Sequence, residues 1–205
     1  MREPWNKWRQ MARSAVFLDR DGVLLPDVFP PLDPAIIELY PCAAAAVARL
    51  QRAGFTTVVV TNQTGVARGM ISEDDVASAH QRIQELLADG DGASIDRFYY
   101  CPHHPKANVL EYQKVCEFRK PSPGMLLQAA QDLDIDLASS YLIGDRISDI
   151  IAGKKVGCRT VQVQTGMHLE SPVEGVTESD LEVRADHICA NLSEAVDNIL
   201  RSISR

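Results

Sequence analysis

The sequence predicts an α/β protein: a central parallel sheet with helices on both of its faces. Three observations carry that prediction. Continuous apolar runs at 15–18, 55–61 and 141–143 lack the alternation of a half-exposed strand and read as strands buried on both sides. Each run leads straight into polar residues, so chemistry-bearing groups collect at the carboxyl ends of strands, where open α/β sheets bind their ligands. Between the runs lie segments whose apolar residues recur at helical spacing, several of them stopped by glycine.

Bulk properties bound the rest. A chain of 205 residues, 45% hydrophobic and 24% charged, has the length and composition of a soluble globular protein. Residues 15–205 are expected to form a single domain. Residues 1–14, basic and carrying Trp5 and Trp8, read as an N-terminal extension, with Met11 as an alternative start. A net charge of −7 argues against a broad nucleic-acid surface. No apolar run approaches the ~20 residues that span a membrane. Five cysteines, odd in number and unevenly spaced, argue against a disulfide framework and for a reducing, cytoplasmic setting. Nothing in the sequence signals oligomerisation, and a monomer is the expectation.

Taken in order, the first strand ends at Asp19-Arg20-Asp21-Gly22, where Gly22 permits a sharp exit. Residues 25–34, with Pro26, Pro30, Pro31 and Pro34, read as a loop too short to hold a separate cap domain. A helix is expected over 41–53, with Pro41 near its first turn and Gly54 as its stop. The second strand, 55–61, ends in Thr61-Asn62-Gln63-Thr64-Gly65. Ser72 with Asp75 resembles a capping box, and Val76, Ala79, Ile83, Leu86 and Leu87 form the stripe of the helix that follows. A third strand is expected at 95–100, then a loop from Cys101 to Lys120. Ser122 as N-cap and Pro123 at the first helical position open a helix ending near Leu133. The strand at 141–143 leads to Gly144-Asp145, and a helix that starts at Asp149 and continues over 150–156 is stopped by Gly157. Strands at 160–163 and 185–190, a loop over 165–184 and a closing helix over 193–203 complete the chain.

The chemistry lies at the strand ends. Asp19 and Asp21 are close enough for one carboxylate to attack phosphorus while the other handles the proton. Two such carboxylates repel, so a hard cation such as Mg2+ is expected beside them, with Asp145 completing its site. Alone, the motif also reads as a solvated turn. Thr61, Asn62 and Gln63 suit phosphate or sugar oxygens, and equally a polar strand–helix turn. Lys120 can aim an ammonium at phosphate or lie exposed in its loop. Asp149 can support the metal, hold Lys120, or simply favour a helix N-terminus. Cys101, His103 and Cys116 have the character of Zn2+ ligands, with His104, Glu117 or water as options for a fourth; a buried thiol beside exposed histidines is the alternative.

The ordered set Asp-x-Asp-Gly, Thr-Asn-Gln, Arg-Lys-Pro and Gly-Asp-x-x-x-Asp resembles the haloacid dehalogenase superfamily of phosphohydrolases, over residues 16–166. The resemblance implies a capless, Rossmann-like fold. It implies that Asp19 is the nucleophile forming an aspartyl-phosphate and that Asp21 is the general acid, then base. It implies Mg2+ held by the Asp19 carboxylate, the Asp21 main-chain carbonyl and Asp145. Thr61 and Lys120 would hold the phosphoryl oxygens, and Asn62, Gln63 and Arg119 would contact substrate.

Within the superfamily, Phe17-Leu18-Asp19-Arg20-Asp21-Gly22, Thr61-Asn62-Gln63, Gly65-Val66-Ala67-Arg68-Gly69, Cys101-Pro102-His103-His104-Pro105 and Arg119-Lys120-Pro121 are similar to the heptose-1,7-bisphosphate 7-phosphatase family. That implies a small-molecule sugar phosphate as substrate. Histidinol-phosphate phosphatases share these motifs, and Pro123-Gly124-Met125 favours the heptose branch. A non-catalytic sugar-phosphate-binding domain on the same fold is the remaining alternative. The heptose family often carries Zn2+ on Cys-x-His and Cys-x-Cys pairs. Here Cys101, His103 and Cys116 match, Phe118 stands where the last cysteine is expected, and Val23 replaces the usual threonine.

Overall fold

Six strands, β1 (Ala15–Leu18), β2 (Thr56–Asn62), β3 (Arg97–Cys101), β4 (Tyr141–Gly144), β5 (Arg159–Val163) and β6 (His187–Cys189), form one sheet in the order β3-β2-β1-β4-β5-β6. Every neighbouring pair is parallel. The computed structural model describes residues 13–27, 36–167 and 175–203. The expectations for Trp5, Trp8, Met11, Pro30, Pro31 and Pro34 lie outside the described residues.

Alternation along the strands explains why helices cover both faces. Val16 and Leu18 of β1 point into one core with Val59, Ile143 and Val161. Ala15 and Phe17 point into the other with Val58, Val60 and Leu142. The first core is closed by α1 (Ala43–Arg52), α3 (Glu73–Asp91) and α6 (Leu192–Ile203), through residues such as Val47, Ile83 and Val196. The second is closed by α4 (Gly124–Leu133) and α5 (Ile147–Lys155), through Met125, Leu126, Ala129 and Ala152. All four residues of β1 are fully buried, which is what their unbroken apolar character requires.

The chain steps outward from β1 to β3, then crosses back to β4 and steps out the other way. The strand order therefore reverses between β1 and β4, and a crevice is expected at their carboxyl ends. Residues 19–42 join β1 to α1, consistent with the capless expectation.

Several boundaries differ from expectation for identifiable reasons. The capping box of α3 forms as read: Asp75 N–H donates to Ser72 Oγ at 3.1 Å and Ser72 N–H to Asp75 Oδ2 at 2.8 Å. The start of α4 does not. Ser122 is not its N-cap: Ser122 N–H donates to Arg119 O at 2.8 Å, so the chain is still turning there, and Pro123 takes the cap position. Gly124 then packs so tightly on Glu117 O that a Cβ would lie 2.4 Å from it. α1 begins two residues after Pro41, β3 begins at Arg97, and β2 extends to Asn62. The four-residue α2 (Thr64–Ala67) follows β2 directly, α5 begins at Ile147, two residues before the expected start at Asp149, and a short 3-10 turn (Glu178–Glu182) interrupts the expected loop. Among the described residues, no helix is long and apolar enough to cross a membrane.

Candidate active site

The end of β1 delivers Asp19 into a buried cluster. Its backbone N–H donates to Ile143 O on β4 at 2.9 Å, continuing the ladder past the last strand residue. Its Oδ1 accepts from Arg20 N–H at 2.7 Å and lies 2.9 Å from Lys120 Nζ. Lys120 is almost fully buried, and Nζ also contacts Asp149 Oδ1 at 2.6 Å and donates to Val60 O at 2.8 Å. Those three acceptors match the three protons of an ammonium. Asn62, the last residue of β2, grips the Lys120 main chain from both sides: its Oδ1 accepts from Lys120 N–H and its Nδ2 donates to Lys120 O, each at 3.0 Å. Asp149 in turn accepts from Arg146 N–H at 3.0 Å, so it holds both the start of α5 and Lys120.

Asp145 stands beside this group, fully buried. Its Oδ2 accepts from Met167 N–H at 2.6 Å, and its Oδ1 has no hydrogen-bond partner among the described residues. Two glycines make room for it. A Cβ on Gly22, whose φ is +83°, would lie 2.6 Å from Asp145 Oδ2, and one on Gly166 would lie 2.3 Å from it. Oxygens of Asp19, Asp145 and Asp149 lie within 4.8 Å of one another. Three carboxylates around one ammonium leave a surplus of negative charge, and burial raises the Asp19 carboxyl well above its usual range against the opposing pull of Lys120. Burial, aided by Asp149, likewise pushes Asp145 up to about 6. For Lys120, burial works against the ammonium, but Asp149 and Asp19 outweigh it and its pKa lies above the ordinary value. An unpartnered buried carboxylate oxygen within an over-acidic, oxygen-only set fits a hard divalent cation.

Asp21 sits in a second network. Arg20 Nε donates to both of its carboxylate oxygens at 3.1 Å, and Gln63 Nε2 donates to Oδ2 at 3.1 Å. Gln63 also donates to Thr61 Oγ1 at 2.8 Å and accepts from Arg20 Nη2 at 3.0 Å. These groups open into a cavity of about 580 Å³ whose lining includes Arg68, Lys106, Arg119 and Arg146. In a chain of net charge −7, that is a locally cationic wall. Arg119 is buried and anchored, Nη1 donating to His103 O and Nη2 to Thr64 Oγ1, each at 3.1 Å.

The sulfur and imidazole donors gather separately. Ligand atoms of Cys101, His103 and Cys116 lie within 4.8 Å of one another, with Cys101 Sγ 3.8 Å from His103 Nδ1. Burial pushes the Cys101 thiol up to about 12, with Cys116 adding to the effect. Among the described residues, no fourth histidine, cysteine or acid joins the set, and Phe118 is more than one-third exposed. His104 instead uses Nδ1 to accept from Lys106 N–H at 3.1 Å.

The predicted residues thus assemble into one crevice, with the thiol group beside it through Arg119. Sequence reasoning passed over Arg20 as a functional residue, although it lies between the two acids of the motif, and over Arg146, which follows Asp145 and pairs with Asp27 at 2.7 Å. The amides of Asn62 and Gln63, the expected substrate contacts, are engaged with Lys120, Thr61, Asp21 and Arg20.

A parallel sheet with a buried acid–lysine cluster and a cavity at its strand switch point is a capless, Rossmann-like α/β architecture with its chemistry at the carboxyl ends of the strands. The HAD-hydrolase-like family model matches residues 117–195. The chain is 40% identical over 179 residues to D-glycero-beta-D-manno-heptose-1,7-bisphosphate 7-phosphatase of Escherichia coli K12, covering 86% of this chain and 93% of the relative. It is 39% identical over 194 residues to D-glycero-D-manno-heptose-1,7-bisphosphate 7-phosphatase of Thermosynechococcus vestitus, covering 89% and 99%. The crystal structure of D,D-heptose 1,7-bisphosphate phosphatase from B. bronchiseptica, complexed with magnesium and phosphate, matches with a TM-score of 0.77 at 30% identity, covering 92% of this chain and 99% of that one. The chain belongs to the haloacid dehalogenase-like hydrolases, and these relatives within the family are phosphatases.

Proposed function

We propose that the chain is a Mg2+-dependent phosphatase that removes the 7-phosphate of D-glycero-D-manno-heptose 1,7-bisphosphate. The observation that carries the reading is the buried Asp19–Lys120–Asp145–Asp149 cluster opening onto a cavity with a cationic wall. The size of that cavity suits a sugar bisphosphate.

Asp19 is the nucleophile. Its Oδ1 is engaged by Lys120 and Arg20 N–H, so Oδ2 is the oxygen assigned to attack phosphorus. A P–O bond forms to Asp19 while the bond from phosphorus to the sugar oxygen breaks, and Asp21 gives its proton to the departing alkoxide. Asp21 then takes a proton from water as that water attacks the phosphorus of the aspartyl-phosphate, releasing inorganic phosphate and Asp19. Lys120 and the Thr61 hydroxyl hold the phosphoryl oxygens, the positioning and charge stabilisation such transfers mainly require. Mg2+, held when bound by Asp19, Asp145 and the Asp21 main-chain carbonyl, would supply neutralisation of phosphoryl charge. Arg119 is our candidate for contact with the second phosphate, since an arginine fork matches phosphate geometry.

We further read the protein as a cytoplasmic monomer acting on a small molecule, with no nucleic-acid or membrane partner. Cys101, His103 and Cys116 are assigned as three donors for Zn2+, with Phe118 unable to supply the fourth. The test is phosphate release with Mg2+ from heptose 1,7-bisphosphate and histidinol phosphate side by side. Strong preference for the bisphosphate is expected. Preference for histidinol phosphate would overturn the substrate, and release from neither the activity.

A further inference from the structure

Gln63, an expected substrate contact, borders the cavity but is only 4% exposed, and its amide makes three hydrogen bonds to protein. Both Nε2 protons are used, one on Thr61 Oγ1 at 2.8 Å and one on Asp21 Oδ2 at 3.1 Å, and Oε1 accepts from Arg20 Nη2 at 3.0 Å. Chemistry fixes which way the amide faces: a guanidinium can only donate, so Arg20 must meet Oε1, which leaves Nε2 to face Asp21 and Thr61. The main chain is pinned as well, Gln63 N–H donating to Cys101 O at 2.8 Å. Arg20, itself buried, braces both ends of the arrangement by forking onto Asp21 and capping Gln63.

Two consequences follow for the groups Gln63 touches. Asp21 is held in one orientation by Arg20 and Gln63, which is what a proton-transferring carboxyl needs if it is to meet a leaving oxygen at hydrogen-bond distance. Thr61 accepts through Oγ1, so its own hydroxyl proton must point away from Gln63 toward another acceptor, and a phosphoryl oxygen is such an acceptor.

We propose that Gln63, braced by Arg20, is a positioning residue for proton transfer, holding the Asp21 carboxyl and orienting the Thr61 hydroxyl without contacting substrate itself. The proposal rests on the assignment of Asp21 as acid and base made above.

The test uses the full chain with Mg2+ and two esters, heptose 1,7-bisphosphate and 4-nitrophenyl phosphate. An alkoxide must be protonated as it leaves; a nitrophenolate leaves unaided. Gln63→Ala is expected to lower kcat/KM for the sugar ester about 10²-fold through kcat, with KM nearly unchanged. Its kcat/KM for the aryl ester is expected to fall by less than about tenfold. Gln63→Glu, equal in size but placing an oxygen against Asp21, is expected to show the same asymmetry and covers the case of an alanine variant that does not fold. If the aryl ester is not accepted, the kcat-against-KM split on the sugar decides. A raised KM at unchanged kcat would assign Gln63 to substrate contact and overturn the proposal, as would equal losses on both esters. Wild-type protein that hydrolyses neither ester would overturn the functional reading and this inference with it.

Discussion

The carboxylate–lysine cluster and the thiol–imidazole cluster are both sets of candidate metal donors, but they rest on different supports. Asp19 and Asp145 follow directly from adjacent parallel strands, Asp149 lies in the first turn of α5, and all three are buried. Of the second set only Cys101 sits on a strand. His103 and Cys116 belong to the long segment between β3 and α4, where Leu110 and Val115 are more than four-fifths exposed. In both clusters burial works against the anion, pushing Asp145 up to about 6 and Cys101 up to about 12. The first cluster answers with a buried ammonium and a network that fixes every donor. In the second, the nearby buried cation, Arg119, donates to the main-chain carbonyl of His103 and to Thr64, and a phenylalanine stands at the position of the expected fourth donor. The strand ends thus hold their carboxylates in a buried network, while among the described residues the loop gathers three donors.

Substitutions can break that contrast in order of expected size. Asp19→Asn should lower phosphate release by at least about 10³-fold, as removal of a covalent nucleophile does. An unchanged melting curve would confirm that the loss is chemical. Lys120→Met should be the most destabilising change at the site, because it leaves the Asp19 and Asp149 carboxylates buried without their cation. Breaking such a pair costs about 3–5 kcal/mol, to be read by urea unfolding at neutral pH. In the second cluster, Cys116→Ser should lower bound zinc, measured by elemental analysis, and change turnover by less than about tenfold, since it touches no reacting group. A larger fall in kcat would show that the loop serves the chemistry directly.

How much of this was legible beforehand depended on which force decided each element. Strands buried on both faces announce themselves as apolar runs, so β1, β2 and β4 and the acids or hydroxyl at their ends could be read directly. Ser122 and Pro123 have the local character of a helix start, but α4 starts one residue later, where Gly124 packs tightly on Glu117, and no local rule contains that contact. The amides of Asn62 and Gln63 were visible as polar groups near a site. Which acceptors they meet depends on Lys120 and Arg20, and Lys120 is far along the chain. The Lys120–Asp149 pair was one of several readings of Asp149, and geometry selects it while keeping the helix-start role as well.

A predicted effect on stability alone lies at His80. Its ring stacks on Phe98 with centroids 4.5 Å apart, Nε2 has no partner among the described residues, and burial, with Arg20 nearby, lowers its pKa from 6.5 to about 3. The fold therefore disfavours the protonated ring. Stability from this group is full above pH 6.5 and declines as pH falls toward 3, by up to about 1.4 kcal/mol per pH unit. His80→Leu should flatten that part of the acid limb, as followed by denaturant midpoints between pH 7 and 4. An identical pH profile in the variant would show that His80 takes up its proton at the same pH in the folded and the unfolded chain.

The most direct test of the central claim is chemical trapping of the nucleophile. Wild-type protein turning over heptose 1,7-bisphosphate with Mg2+ is quenched in acid, reduced with borohydride and digested. An acyl phosphate on an aspartate is thereby converted to homoserine, and mass spectrometry of the β1 peptide locates it. Homoserine at position 19 alone is the predicted result. Active enzyme that yields no modification at Asp19, or yields it at Asp21 or Asp145 instead, would contradict the account.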